Sequence, residues 1–225
     1  MNYSPIRLNL PKSRSRSKPS LHEIANLVAR SQPWLGLFPL LFPQPTLAHF
    51  AQIIPDNTLP NNSVVNSSGP LETITGGTTV GGNLFHSFTQ FNLLTGQTAF
   101  FNNAPTLDNI ITRITGGQIS TIDGTLQTIG NANLFLINPS GIIFGENASL
   151  DIRGSFFASS ADRLIFENGA SFSAIDPGSP PLLVANIPIG LQLGSNPGTL
   201  VNRSTAGLNV DPGQTLALVG GDIRM

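Results

Sequence analysis

Phe144-Gly-Glu-Asn-Ala-Ser-Leu-Asp-Ile152 returns 22 residues later as Phe166-Glu-Asn-Gly-Ala-Ser-Phe-Ser-Ala174, with Phe, Ala, Ser and an apolar residue at matching places. That spacing is about one turn of a parallel β-helix, whose turns cannot bury their own apolar side and so stack on one another at ~4.8 Å. The clearest alternation in the chain runs out of the first copy. Ala148, Leu150, Ile152, Gly154, Phe156 and Ala158 fall on one side, and Ser149, Asp151, Arg153, Ser155 and Phe157 on the other. This is the period of two expected of a strand with one covered face. Leu150, Ile152, Phe156, Phe166 and Phe172 are therefore expected to fill the core of successive turns, with Leu150 and Phe172 at the same inward position one turn apart.

The same texture holds from Gln52 onward. Gly, Asn, Pro, Ser and Thr punctuate short apolar runs, and no window shows a 3.6-residue apolar stripe with helix caps. Shorter echoes recur as well: Ile74-Thr-Gly-Gly77 as Ile114-Thr-Gly-Gly117, and Asn83-Leu-Phe85 as Asn133-Leu-Phe135. The chain is predicted to be all-β, and a parallel solenoid explains the recurrence where a sandwich or jelly roll does not. Charged residues make up only 10% of the 225, against ~25% in an ordinary soluble protein. Low charge suits a solenoid, because uncharged side chains stack in register without repulsion and Gly and Asn fit left-handed corners. At this spacing residues 49–225 would make about eight turns.

Composition narrows the function. With no Cys, disulfide frameworks, thiol catalysis, Cys-based zinc sites and iron–sulfur clusters are excluded. Residues 1–48 carry six Lys/Arg and one acid, whereas residues 49–225 carry five Arg and eleven acids. The acidic part has no basic run and is not expected to bind nucleic acid. In the basic part, Lys12, Arg14, Arg16, Lys18 and Arg30 precede the apolar run Trp34-Leu-Gly-Leu-Phe-Pro-Leu-Leu-Phe42, and Thr46-Leu-Ala48 comes after it. This order reads as a signal peptide over residues 1–48 with a long basic front, handled by the general secretion machinery and cut after Ala48. The run is too short, and too broken by Pro39, to span a bilayer.

Few residues suggest chemistry. Asn138-Pro139-Ser140-Gly141 comes directly after the apolar strand Leu134–Ile137 and has the makings of a tight turn: Asn bonds its own following backbone, Pro fixes φ, and Gly permits positive φ. A β-helical lyase or hydrolase would need paired carboxylates, or a carboxylate beside Arg, on neighbouring turns. Asp151 and Arg153 share an outward face, but Ser173 stands where the next repeat would need a second acid. His86 lies between Phe85 and Phe88 without a second ligand nearby, so no metal is expected. The residues alone point to a non-enzymatic protein with no cofactor and no small-molecule substrate. The alternative is a β-helical surface protein that binds or cleaves carbohydrate.

Asn131-Ala-Asn-Leu-Phe-Leu-Ile-Asn138-Pro139-Ser140-Gly141-Ile142-Ile-Phe-Gly145 resembles the N-terminal secretion domain of filamentous haemagglutinin-like exoproteins, the cargo of two-partner secretion. The family hallmark Asn-Pro-Asn-Gly-Ile is matched at Asn138, Pro139, Gly141 and Ile142, with Ser140 at the third place. Gly82-Asn-Leu-Phe-His-Ser-Phe88, Phe100-Phe-Asn-Asn103, Ile110-Ile-Thr-Arg-Ile-Thr-Gly-Gly117, Gly154-Ser-Phe-Phe-Ala-Ser159 and Leu216-Ala-Leu-Val-Gly-Gly-Asp222 extend the resemblance over about residues 52–224. It implies a right-handed parallel β-helix with extra capping strands near its N-terminus. It also implies export through the periplasm and outer membrane to the cell surface or medium. The implied partner is an outer-membrane barrel that recognises the domain through its periplasmic domains, with Asn138–Ile142 as the secretion motif. A second family motif, Asn-Pro-Asn-Leu, is absent from the Asn103–Ile110 connection. The resemblance further implies a long repetitive passenger after the domain, carrying adhesion or another activity, and the expectation for residues 49–225 is a secretion domain whose passenger is missing or truncated.

Overall fold

The computed structural model describes residues 53–177, 183 and 185–225; the expected signal peptide and its cleavage site at Ala48 lie outside them. The described chain contains strands and turns but no helix. It opens with β1 (Ile53–Pro55) and a hairpin of β2 (Ser63–Ser68) and β3 (Leu71–Gly76), after which β4 (Thr78–Val80) folds back on β5 (Asn83–Phe91). Three short strands then recur with each turn. The first set is β6 (Thr98–Phe101), β7 (Asn109–Ile114) and β8 (Ser120–Ile122), and the second is β9 (Thr125–Thr128), β10 (Asn133–Ile137) and β11 (Ile142–Phe144). The third begins with β12 (Ser149–Asp151) and β13 (Phe156–Ser159) and is interrupted by β14 (Arg163–Phe166), β15 (Ser171–Ser173) and β16 (Pro188–Gln192). The coil resumes with β17 (Thr199–Asn202), β18 (Leu216–Val219) and β19 (Asp222–Arg224).

Like strands stack in parallel to make three faces. The first runs β5-β7-β10-β13-β18, the second β3-β6-β9-β12, and the third β8-β11-β17-β19. Antiparallel β1 on β5 and β2 on β3 close the N-terminal end. Counting β1, the first face is six strands deep, so the solenoid has about six levels rather than the eight expected from chain length. The difference is the excursion between β13 and β17, which consumes residues without adding a level.

Register is set by burial. On the first face Leu84, Ile110, Leu134, Phe156 and Leu216 lie in one row, of which Ile110, Leu134 and Phe156 are fully buried in the solenoid interior. The second face sends in Ala99, Leu126 and Leu150, and the third Ile142 and Leu200. A slip of one residue would turn each row outward, so the apolar interior fixes the alignment. Successive levels are not equally long: Leu84, Ile110, Leu134 and Phe156 stand 26, 24 and 22 residues apart.

The recurrence at Phe144 and Phe166 is not one turn of the coil. Leu150 stacks on Leu126, 24 residues earlier, while Phe172 pairs antiparallel with Leu164 in a separate three-stranded sheet ordered β15-β14-β16. Both copies are a strand, a tight turn and a strand, but the turns differ. The second copy holds Asn168-Gly169, the strongest local hairpin signal. Gly169 takes φ +79°, and its amide donates to the carbonyl of Phe166 at 2.8 Å. The chain therefore doubles back instead of turning a corner.

This excursion packs on the outward side of the first face. Phe85, Ile111 and Phe135 form an outward row there, continued by Phe157. Phe85 and Ile111 join Ile137, Leu164, Phe166 and Phe172 in a second buried cluster, with Phe135 packed against it. The Phe85 ring meets Phe172 at 5.1 Å and Phe166 at 6.0 Å between centroids. Phe166 and Phe172 are thus core residues, but of the layer between sheet and excursion and not of the helix turns assigned to them from sequence.

Candidate functional site: the Asn138–Gly141 turn

β10 ends at Ile137 and β11 begins at Ile142, so the motif is the corner between the first and third faces. Asn138 is wholly buried. Its side-chain amide nitrogen donates to the Gln118 carbonyl at 2.9 Å and to Ser120 Oγ at 3.0 Å, and its Oδ1 accepts from the Ser140 amide at 3.0 Å. Its backbone N–H donates to Ser159 O at 2.9 Å, one level on. Every polar group of this side chain is satisfied inside the fold, which is what a buried amide requires. Gly141 closes the turn with φ +109° and a 2.9 Å bond from its amide to the Asn138 carbonyl. A Cβ there would stand 2.5 Å from the Thr199 carbonyl oxygen, so both backbone angle and space demand glycine. Pro139 and Ser140 are half-buried, and Pro139 O accepts from the Gly198 amide at 2.9 Å. Ile142 is buried between Ser120 and Leu200 on the third face.

The remaining sequence candidates lie apart from this corner. Leu150 is half-buried on β12, Ile152 and Phe156 are buried in the solenoid, and Phe166 and Phe172 lie under the excursion. Asp151 accepts from Gln127 Nε2 at 2.6 Å, one level earlier, and makes no ion pair with Arg153 among the described residues. Among the described residues no three His, Asp or Glu side chains converge as metal ligands would.

Three buried polar arrangements escaped the sequence reading. The first is a ladder: Asn109 Nδ2 donates to Asn83 Oδ1 at 2.8 Å, Asn133 Nδ2 to Asn109 Oδ1 at 2.9 Å, and the Ser155 amide to Asn133 Oδ1 at 2.9 Å. The recurrence of Asn-Leu-Phe at 83 and 133 was its visible trace. The second is Arg113, whose neighbours come from three distant segments and leave no local pattern. The third is His86. Its Nδ1 lies 3.0 Å from Ser63 Oγ, and its ring stacks with Phe88 at 5.9 Å. Burial pushes its pKa down to about 3, so it is neutral at physiological pH.

Comparison with known proteins bears on the whole architecture. The solved HMW1 secretion domain from Haemophilus influenzae superposes with a TM-score of 0.51 at 22% identity, over 72% of this chain and 38% of that one. This chain thus spans less than half the length of that relative, and the likeness is one of fold. No curated protein matches the sequence. The family model of the TPS secretion domain matches residues 51–225, the whole solenoid with its caps and excursion, and the chain belongs to that family.

Proposed function

We propose that residues 49–225 are the exported secretion domain of a filamentous haemagglutinin-like exoprotein, delivered by the signal peptide to the general secretion machinery and then to a partner outer-membrane barrel. The barrel's periplasmic domains meet the chain while it is extended, and the solenoid forms afterwards and seeds the folding of a C-terminal passenger. The destination is the cell surface or the medium, and the role is non-catalytic. The observation that carries this reading is the family match over residues 51–225. The state of the motif adds a mechanism. Asn138 is buried with all its polar atoms bonded within the fold, so its side chain is available to a partner only before folding, when exposed strand edges also offer backbone pairing.

The test is co-expression with the cognate barrel, scoring the exported fraction and, separately, the refolding of purified protein. Gly141→Val forbids the turn and is expected to abolish refolding and export together. Asn138→Ala removes three side-chain hydrogen bonds and is expected to weaken export while the purified chain still refolds, less stable by about 2–3 kcal/mol. Export of the parent chain in cells lacking the barrel, or normal export of both variants, would refute the assignment.

A further inference from the structure

Arg113 is the largest fully buried side chain in the described protein, at 1% exposure. It stands in the outward row of the first face, level with Ser87 and Ile137, so its cation points into the layer beneath the excursion. Each part of the guanidinium is claimed by a different segment. Nε donates to Ser87 Oγ at 2.8 Å on the neighbouring strand, and Nη2 to Thr58 Oγ1 at 2.8 Å in the N-terminal segment. Nη1 donates to the Ser173 carbonyl on β15, and the Phe172 ring lies 4.2 Å from the guanidinium carbon. Behind the two hydroxyls sits Asp56. Its carboxylate accepts from Thr58 Oγ1 at 2.5 Å, and from Ser87 Oγ and Thr115 Oγ1 at 2.7 Å each. Thr58 and Ser87 therefore direct their protons to Asp56 and turn their lone pairs to Arg113. Burial lowers the arginine pKa to about 10, opposed by Asp56 on one side and Asp176, from the excursion, on the other, so the group stays charged.

We propose that Arg113 makes the docking of the strap formed by β14, β15 and β16 and the seating of the N-terminal segment one conditional step. One side chain ties two segments that are distant in the chain, Ser173 at 60 residues and Thr58 at 55. The condition rests on charge. On an open face the guanidinium is hydrated; beneath the strap it must find its hydrogen bonds in protein, because a buried cation without them is strongly disfavoured. Those bonds exist only when Thr58 and Ser87 are already held by Asp56 and when Ser173 and Phe172 arrive with the strap. A strap docking on a face whose N-terminal segment is displaced would bury an unpaired charge. Docking of one piece without the other is thereby penalised, and the two close and open together.

Native-state hydrogen exchange on the full chain tests this. The amides of Asp162 and Ala174 report the strap, bonded to Gln192 O and Asp162 O, and Asp56 reports the N-terminal segment, bonded to Ser87 O. In the parent chain the three are expected to share one opening free energy and one denaturant dependence, while Leu134 and Asn138 of the solenoid exchange more slowly. In Arg113→Met the strap amides are expected to exchange at least tenfold faster, and Asp56 no longer with them. Arg113→Lys, which keeps the charge but loses the fork, should fall between. Independent exchange of strap and Asp56 in the parent, or continued coupling in Arg113→Met, overturns the proposal. If Arg113→Met does not fold, Phe172→Leu serves instead: it trims the strap's cover on the guanidinium and leaves the hydroxyls that hold Asp56 unaltered, so an unchanged Asp56 rate there overturns it equally.

Discussion

His86 is the one histidine among the described residues, and it isolates a single titration. It lies against the N-terminal hairpin through Ser63, with Phe101 at 5.6 Å and Phe88 behind it. Its folded pKa of about 3 lies below the unfolded value of 6.5. The fold favours the neutral ring, so its contribution is fully present above pH 6.5 and is lost as pH falls from there toward 3. The slope approaches about 1.4 kcal/mol per pH unit, which gives a loss of about 2 kcal/mol between pH 7 and pH 5. Asp56 contributes little in that window. Burial would raise its carboxyl, but the hydrogen bonds from Thr58, Ser87 and Thr115 outweigh this and hold it below the usual range, so its titration falls at lower pH. Urea unfolding at pH 7 and pH 5 should show the loss in the parent and a flattened dependence in His86→Gln. An equal loss in both would assign it elsewhere. At this scale the sequence revealed the residues with local partners and concealed those with distant ones. Asn138 bonds the amide two residues on, which the Asn-Pro-Ser-Gly order makes legible, whereas the three partners of Arg113 have no common neighbourhood in the chain.

The elements were legible where their signal is periodic. Alternation at Ala148–Ala158 places a buried row, and Leu150, Ile152, Phe156 and Ala158 do pack in or against the solenoid interior. What alternation cannot tell is whether the next strand continues the coil or folds back, because that choice rests on the turn. Gly-Glu-Asn-Ala after Phe144 carries the chain round a corner, and Glu-Asn-Gly-Ala after Phe166 makes a hairpin; moving one glycine decides between parallel and antiparallel. Between levels, the apolar rows exclude a slip of one residue, and the asparagine ladder adds a penalty for a slip of two, which would keep the same face inward but break the paired amides. Asn109 is its middle rung, donating to Asn83 and accepting from Asn133. Asn109→Ala should cost about 2–4 kcal/mol by leaving two neighbouring amides each short of a partner. Asn209→Ala, at an exposed amide bonded only to nearby carbonyls, should stay within ~0.5 kcal/mol. Equal effects in denaturant unfolding would remove the ladder from the account.

In the molecule as a whole, the fold class could be read because Gly, Asn and short apolar runs repeat throughout, and the depth of the coil could not, because an insertion is written in the same alphabet as a level. The excursion leaves and rejoins the solenoid at neighbouring points. Asp162 N donates to Gln192 O at 2.9 Å, and a Cβ on Gly194 would press on the Asp162 carboxylate. A short Gly-Ser linker can therefore replace residues 163–193 without moving β13 or β17. The excised chain keeps its three parallel faces, so its far-UV spectrum should remain that of a β-protein. It loses the cover over Phe85, Ile111 and Phe135, a contiguous apolar row of the kind that monomers seldom leave open. Concentration-dependent self-association and binding of a hydrophobic dye are the expected results, by sedimentation and fluorescence. Adding Phe85→Ser and Phe135→Ser to the excised chain should restore a monomer, because the face rather than instability of the coil is then the cause. A monodisperse excised chain that binds no dye would mean that the outward row finds other cover, and that the strap does not protect the face on which it lies.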